Sequence, residues 1–246
     1  MRIVCHRDIL FVVINPFTTK EFWNRFSTSD LLFLCRLLTI RRVRLKLGVS
    51  LLMPLLLSKD EFKLQLQLGE PVELARMFVL SETVHALPHP GKYQEFREKV
   101  LNYLPMAEYV AIVGSGNWRY SLNPEKLLNE YHEKSDIDVA VVSSQLYQET
   151  WDEMRRLHRD RWYALDYNER ARLKRNGQNI YAGFACPTWL PQLGHPRVYS
   201  FKSMLSKLSG PDVGYREVKM FYFKNETEMI DYYRRGFIDA KRSLSQ

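Results

Sequence analysis

Apolar residues in this chain recur with two periods, and the period separates strand from helix. Tyr109-Val110-Ala111-Ile112-Val113 is an unbroken apolar run of strand length. Ile137 to Val142 (IDVAVV) is a second, interrupted only by Asp138. Both predict buried strands. Tyr215 to Phe223 (YREVKMFYF) alternates: Glu217, Lys219 and Phe221 share one face, and Val218, Met220 and Tyr222 the other. It predicts a late strand. Helical spacing marks Tyr93 to Leu104, where Phe96, Val100 and Leu104 stand four apart. It also marks Glu226 to Ser243, with a stripe of Met229, Ile230, Tyr233, Phe237 and Ala240. Ser143 or Ser144 caps a further helix, running through Trp151 and Met154 to about Tyr163.

Other segments carry mixed signals. Ser58-Lys59-Asp60-Glu61 is a capping-box pattern, yet Phe62, Leu64, Leu66 and Leu68 alternate as in a strand. Gly69-Glu70-Pro71 opens a helix over 71–78, and Leu87 to Gly91 (LPHPG) is a turn. Asp166 to Asn176 predicts a charged helix stopped at Gly177. Gly183 to Pro191 (GFACPTWLP) predicts a rigid aromatic loop. Such a loop can supply a base-stacking wall, although core packing of Trp189 is the simpler expectation. Phe201 to Leu208 predicts a short helix. Together these segments predict an α/β (α+β) fold, a small mixed sheet flanked by helices.

The first 57 residues have a different character. Leu31 to Ile40 is mostly apolar, Arg41 to Lys46 (RRVRLK) is basic, and Leu51 to Leu57 is apolar again. Neither apolar run approaches the ~20 residues of a membrane span. The pattern does not fit a signal peptide, and an amphipathic surface segment is only a generic alternative. Residues 1–57 are therefore read as a basic, apolar N-terminal extension, and 58–246 as the principal domain. Met53 stands just before the helix start at Ser58. One expectation is that residues 1–52 are an upstream extension and the natural protein starts at Met53.

Charge and composition sharpen this division. The chain carries a net charge of +8. Residues 1–58 hold nine Lys/Arg and three acids, whereas 59–246 hold 27 basic and 25 acidic residues. The principal domain is thus nearly neutral, and the overall charge is weak evidence for nucleic-acid binding. With 14 Tyr, 13 Phe and 5 Trp, the chain is not of disordered composition. Cys5, Cys35 and Cys186 give neither a disulfide framework nor a zinc spacing, so a reducing, cytoplasmic location is expected. His85 and His89 are separated by Pro88 and read as loop residues. The basic stretch 155–175 reads mainly as solvated helix faces, with one or two side chains free to meet a triphosphate or an RNA backbone.

The candidate chemistry lies in two motifs. Val113-Gly114-Ser115-Gly116-Asn117 places a tight turn after the first strand, and Ser135-Asp136-Ile137-Asp138 opens the second. Strand alternation points Asp136 and Asp138 the same way. Such adjacent like charges are compensated by a divalent cation held together with nucleotide phosphates. Backbone amides of the turn and the Ser115 hydroxyl suit phosphate oxygens.

This order of apolar strand, Gly-Ser turn and Asp-x-Asp strand resembles the nucleotidyltransferase superfamily, the polymerase-beta-like fold. The resemblance covers roughly residues 95 to 150. It implies transfer of a nucleoside monophosphate from an NTP to an acceptor hydroxyl in RNA, protein or a small molecule. It assigns Gly114 and Ser115 to the triphosphate, and Asp136 and Asp138 to Mg²⁺ (or Mn²⁺). A third acid on a later strand is expected; Glu217 is the candidate, with Asp212 and Asp166 behind it. A solvated pair with Lys219 is the competing reading of Glu217. The helix after the turn is assigned to Pro124 to Tyr131 (PEKLLNEY), with an inserted loop around Asn117 to Asn123, because 21 positions separate Ser115 from Asp136. Small bacterial members act on tRNA, proteins or antibiotics, or serve toxin–antitoxin and phage-defence systems.

Competing readings remain. A catalytically inactive relative would bind nucleotide and regulate. A dinucleotide fold shares the first glycines, but Arg119 stands at the third glycine position. A metal-dependent glycosyltransferase also uses Asp-x-Asp but lacks the Gly-Ser turn.

Overall fold

The computed structural model describes residues 2–6, 9–13, 57–126, 128–191 and 195–245. The chain divides into two units, Met1–Leu52 and Met53–Gln246. In the first, β1 (Arg2–His6) and β2 (Ile9–Val13) form an antiparallel hairpin. The runs at 31–46 and 51–56 lie outside the described residues, as do the side chains of Cys5 and Cys35.

The second unit is an α+β fold around a four-stranded mixed sheet of order β3-β4-β6-β5. Its strands are β3 (Tyr109–Val113), β4 (Ile137–Val142), β5 (Phe184–Ala185) and β6 (Val218–Phe223). β3 and β4 pair antiparallel, β4 and β6 parallel, and β5 and β6 antiparallel. The late strand begins at Val218, not Tyr215. Tyr215 sits at φ 58 beside Gly214 at φ 63, and that left-handed turn delays the entry into extended backbone.

Helices cover both faces. On one side, α1 (Lys59–Leu68), α2 (Pro71–Val79) and α8 (Glu226–Ser243) bury Phe62, Phe78 and Phe237 against Ala111, Val113, Ala140 and Val142. On the other, α3 (Pro90–Tyr103) and α7 (Pro196–Leu208) bury Phe96, Val100, Phe201 and Met204 against Val110, Ile112, Val139 and Met220. The near-continuous apolar strands are the consequence of this double cover. A third cluster (Met154, Leu157, Leu165, Leu173, Leu190, Val198) joins α5 (Ser144–Arg161), α6 (Tyr167–Tyr181) and α7.

The conflict at residues 58–68 resolves as helix. Ser58 and Glu61 complete both halves of the capping box, and Phe62 and Leu66, one turn apart, are buried while Leu64 and Leu68 are exposed. The stripe of α8 is buried at all five expected positions. Three further expectations are corrected. No helix spans 124–131; the chain makes a single 3₁₀ turn at Pro124–Lys126, and the helix after Gly114 is α4 (Ser115–Trp118), which begins at once. α6 runs through Gly177 to Tyr181, because the buried Asn176 and Asn179 hold its inner face in place, and the chain breaks at Gly183 with φ 101 instead. Trp189 is 37% exposed, on a 3₁₀ turn after β5, so it is not core.

Candidate functional site

The candidate site is built at one end of the sheet, where β3 ends and β4 and β6 begin. Val113, the last residue of β3, pairs with Asp138 of β4, and Asp138 pairs on its other side with Lys219 of β6. Gly114, directly after Val113, has φ 66 and ψ −155, a region that only glycine enters without strain. A Cβ built on it would lie 3.0 Å from Asp138 Oδ2. Glycine is therefore required twice over: for the turn itself, and for the approach of Asp138.

α4 is a single turn whose first carbonyl takes up two of its own amides, and Gly116 within it is buried. Asn117 and Trp118 donate their amides to the Gly114 carbonyl at 3.0 and 3.3 Å. The amides of Ser115 and Gly116, at the helix start, have no intrahelical partner. Asn117 fastens the turn to the scaffold. It is 1% exposed, and its Nδ2 donates to Phe78 O and Ile112 O, both at 2.8 Å. By sequence alone this asparagine belongs to a loop; a polar residue just after a Gly-Ser turn is the signal for a side-chain clamp.

The carboxylates share one face, and their charges are unequal in environment. Lys219 Nζ makes an ion pair with Asp136 Oδ2. Burial, reinforced by Asp136, pushes the Asp138 carboxyl up to about 6 against the pull of Lys219. Lys126 and Glu217 also act on it electrostatically, in opposite senses. Lys219 in turn is raised, chiefly by its hydrogen bond to Asp136. Asp138 is thus a partly buried acid whose nearest ammonium is committed to its neighbour.

The third acid is less closely integrated. Glu217 is exposed one residue before β6, and its carbonyl accepts from the Ile137 amide at 2.8 Å. It does not pair with Lys219, which turns to Asp136 instead. Asp212 is drawn away to Lys99 at 2.6 Å, and Asp166 caps α6 through the Glu169 amide at 2.8 Å. Both alternatives are therefore occupied elsewhere. Among the described residues, no three His, Cys, Asp or Glu side chains converge to hold a metal.

The donor set fits a two-carboxylate cation site. Asp136 and Asp138 are hard oxygen ligands on one face, and a cation between them would favour the ionised form that burial disfavours in Asp138. Mg²⁺ is commonly held by one or two carboxylates, with substrate phosphates completing its shell. The antiparallel β3–β4 pair is not the parallel βαβ unit of a dinucleotide fold.

Comparison with protein-family models, with curated proteins and with solved structures found no match. Among the described residues, no helix is long and apolar enough to cross a membrane.

Proposed function

We propose that the protein is a metal-dependent nucleotidyltransferase, moving a nucleoside monophosphate from an NTP to an acceptor hydroxyl with release of pyrophosphate. The observation that supports this reading is the packing of Gly114 against Asp138, which brings the Gly-Ser turn beside one of the two carboxylates. The Ser115 hydroxyl and the amides of Ser115 and Gly116 hold phosphate oxygens. Asp136 and Asp138 hold Mg²⁺ or Mn²⁺, which when bound neutralises the triphosphate and aligns it for displacement. Lys219 exchanges Asp136 for a phosphate oxygen, a charge-assisted bond of comparable strength. The acceptor oxygen bonds to the α-phosphorus as the bond to the bridging oxygen breaks. Glu217, exposed at the rim, takes the acceptor's proton. The acceptor is a hydroxyl of RNA, protein or a small molecule.

A second reading, a non-catalytic nucleotide-binding regulator, is favoured by one observation. Lys219 stands directly across from Asp138, on the strand where a third metal-binding acid would be placed. The two readings separate in one experiment. The full chain is incubated with each α-labelled NTP, Mg²⁺ or Mn²⁺, total RNA and cell lysate, beside an Asp136→Ala/Asp138→Ala variant. Label entering RNA, protein or a small molecule with the wild type alone supports transfer. Metal-dependent NTP binding without transfer favours the regulator.

A further inference from the structure

β5 is only two residues long and pairs with Tyr222 and Phe223 alone. From Val218 to Phe221, the outer edge of β6 therefore runs beside no strand among the described residues. Side chains take the place of a neighbour: Ser209 Oγ accepts from the Val218 amide at 2.9 Å, and Cys186 Sγ donates to the Met220 carbonyl at 3.4 Å. The space left by the missing strand is a notch of about 690 Å³. The segment after β5 walls it with Thr188 and Trp189, α7 with Lys202, Leu205 and Ser206, and β6 with Phe221. Lys219 and Glu217 also line it.

We infer that this notch holds the nucleobase of the nucleotide whose phosphates meet Gly114, Ser115, Asp136 and Asp138. The inference rests on the phosphate-site reading above and deepens it. Continuity is the first argument, because Lys219 both lines the notch and reaches Asp136. A ligand anchored at the carboxylates passes Lys219 on its way in. The second is chemistry. Trp189 and Phe221 offer aromatic surface, and every base has a π-face to stack on it. Thr188 and Ser206 line the wall, and their hydroxyls are of the kind the edge of a planar heterocycle needs. Third, Trp189 is 37% exposed although it sits on a loop otherwise buried from Gly183 to Pro187. An indole that lines the notch and keeps part of its surface in solvent presents a face for a base to stack on.

The test compares binding of ATP, GTP, CTP and UTP with binding of inorganic tripolyphosphate, all with Mg²⁺, to the full chain. Two variants accompany the wild type. Trp189→Ala removes the stacking surface, and Ser206→Trp fills the mouth from an exposed position without removing any packing. Both are expected to weaken at least one nucleotide by about tenfold, within the range of one base–aromatic stack, and to leave tripolyphosphate unchanged. Equal loss for nucleotide and tripolyphosphate, or no loss in Ser206→Trp, overturns the inference. Mg²⁺-dependent nucleotide binding that needs Asp138 but ignores both variants overturns the notch alone. A wild type that binds neither probe overturns the phosphate-site reading, and the notch with it.

Discussion

Gly114 and Asp138 are matched across the β3–β4 pair: the position a Cβ would take on the glycine is 3.0 Å from the aspartate's Oδ2. Gly114→Ala must relax both that contact and a backbone at φ 66. The expected cost is about 1–3 kcal/mol of stability, the range for strain of this kind. Nucleotide binding should be lost even where the variant folds, because the turn can no longer approach the carboxylate. Urea unfolding with parallel NTP titration checks both parts.

Lys219 and Asp136 form an ion pair in which each side chain keeps about two-fifths of its surface in solvent (44% and 39%). Such pairs contribute about 0–1 kcal/mol, so Lys219→Met should change stability little. Its effect on ligands should be opposite for cation and nucleotide. Mn²⁺ alone binds more tightly once Asp136 is free, and Mg²⁺–NTP more weakly once a phosphate loses its ammonium. Calorimetric titration of each ligand separates these outcomes from a merely structural role.

Glu153 supplies a pH dependence away from the site. It accepts from Arg156 at 3.0 and 2.5 Å and pairs closely with His195, the residue that precedes α7. Chiefly the Arg156 hydrogen bonds, and then His195, hold its carboxyl at about 2, below the ordinary 4.5. A depressed acid stabilises the fold when ionised. The contribution is complete above pH 4.5 and is lost as pH falls toward 2. Glu153→Gln should cost about 1–2 kcal/mol near neutral pH. The difference from wild type should shrink through that acid window, as followed by unfolding at successive pH values.

Gly177 lies inside α6, and a Cβ there would meet nothing within 4 Å. Gly177→Ala should stabilise by about 0.4–1 kcal/mol through the lower entropy of the unfolded chain. A rise in Tm is the readout.

Gly177 also shows where the sequence misleads. A glycine after a charged stretch has the local signature of a helix end, but Asn176 and Asn179 are held in the interior, and tertiary packing carries the helix past it. The same competition decided residues 58–68, where two periodicities were legible and the capping box matched the outcome. The strands flanking the site were legible because they are buried on both faces and so nearly unbroken in apolar character. Gly114 and Asp138 were legible as separate motifs, and the alternation of β6 put Glu217 and Lys219 on one face. Which of them would meet Asp136 was not legible. That depends on the β4–β6 register, which no local pattern encodes. The role of Asn117 was hidden for the same reason, since its partner Phe78 O lies 39 residues away.

Calorimetric binding of the four NTPs to the full chain, with and without Mg²⁺, for wild type and Asp138→Asn, decides whether the carboxylate pair holds a metal–nucleotide complex. The wild type should bind only when the cation is present, and Asp138→Asn should not bind although it is as well folded as the parent. Binding that persists in Asp138→Asn, or that is indifferent to Mg²⁺, would contradict that role of the pair.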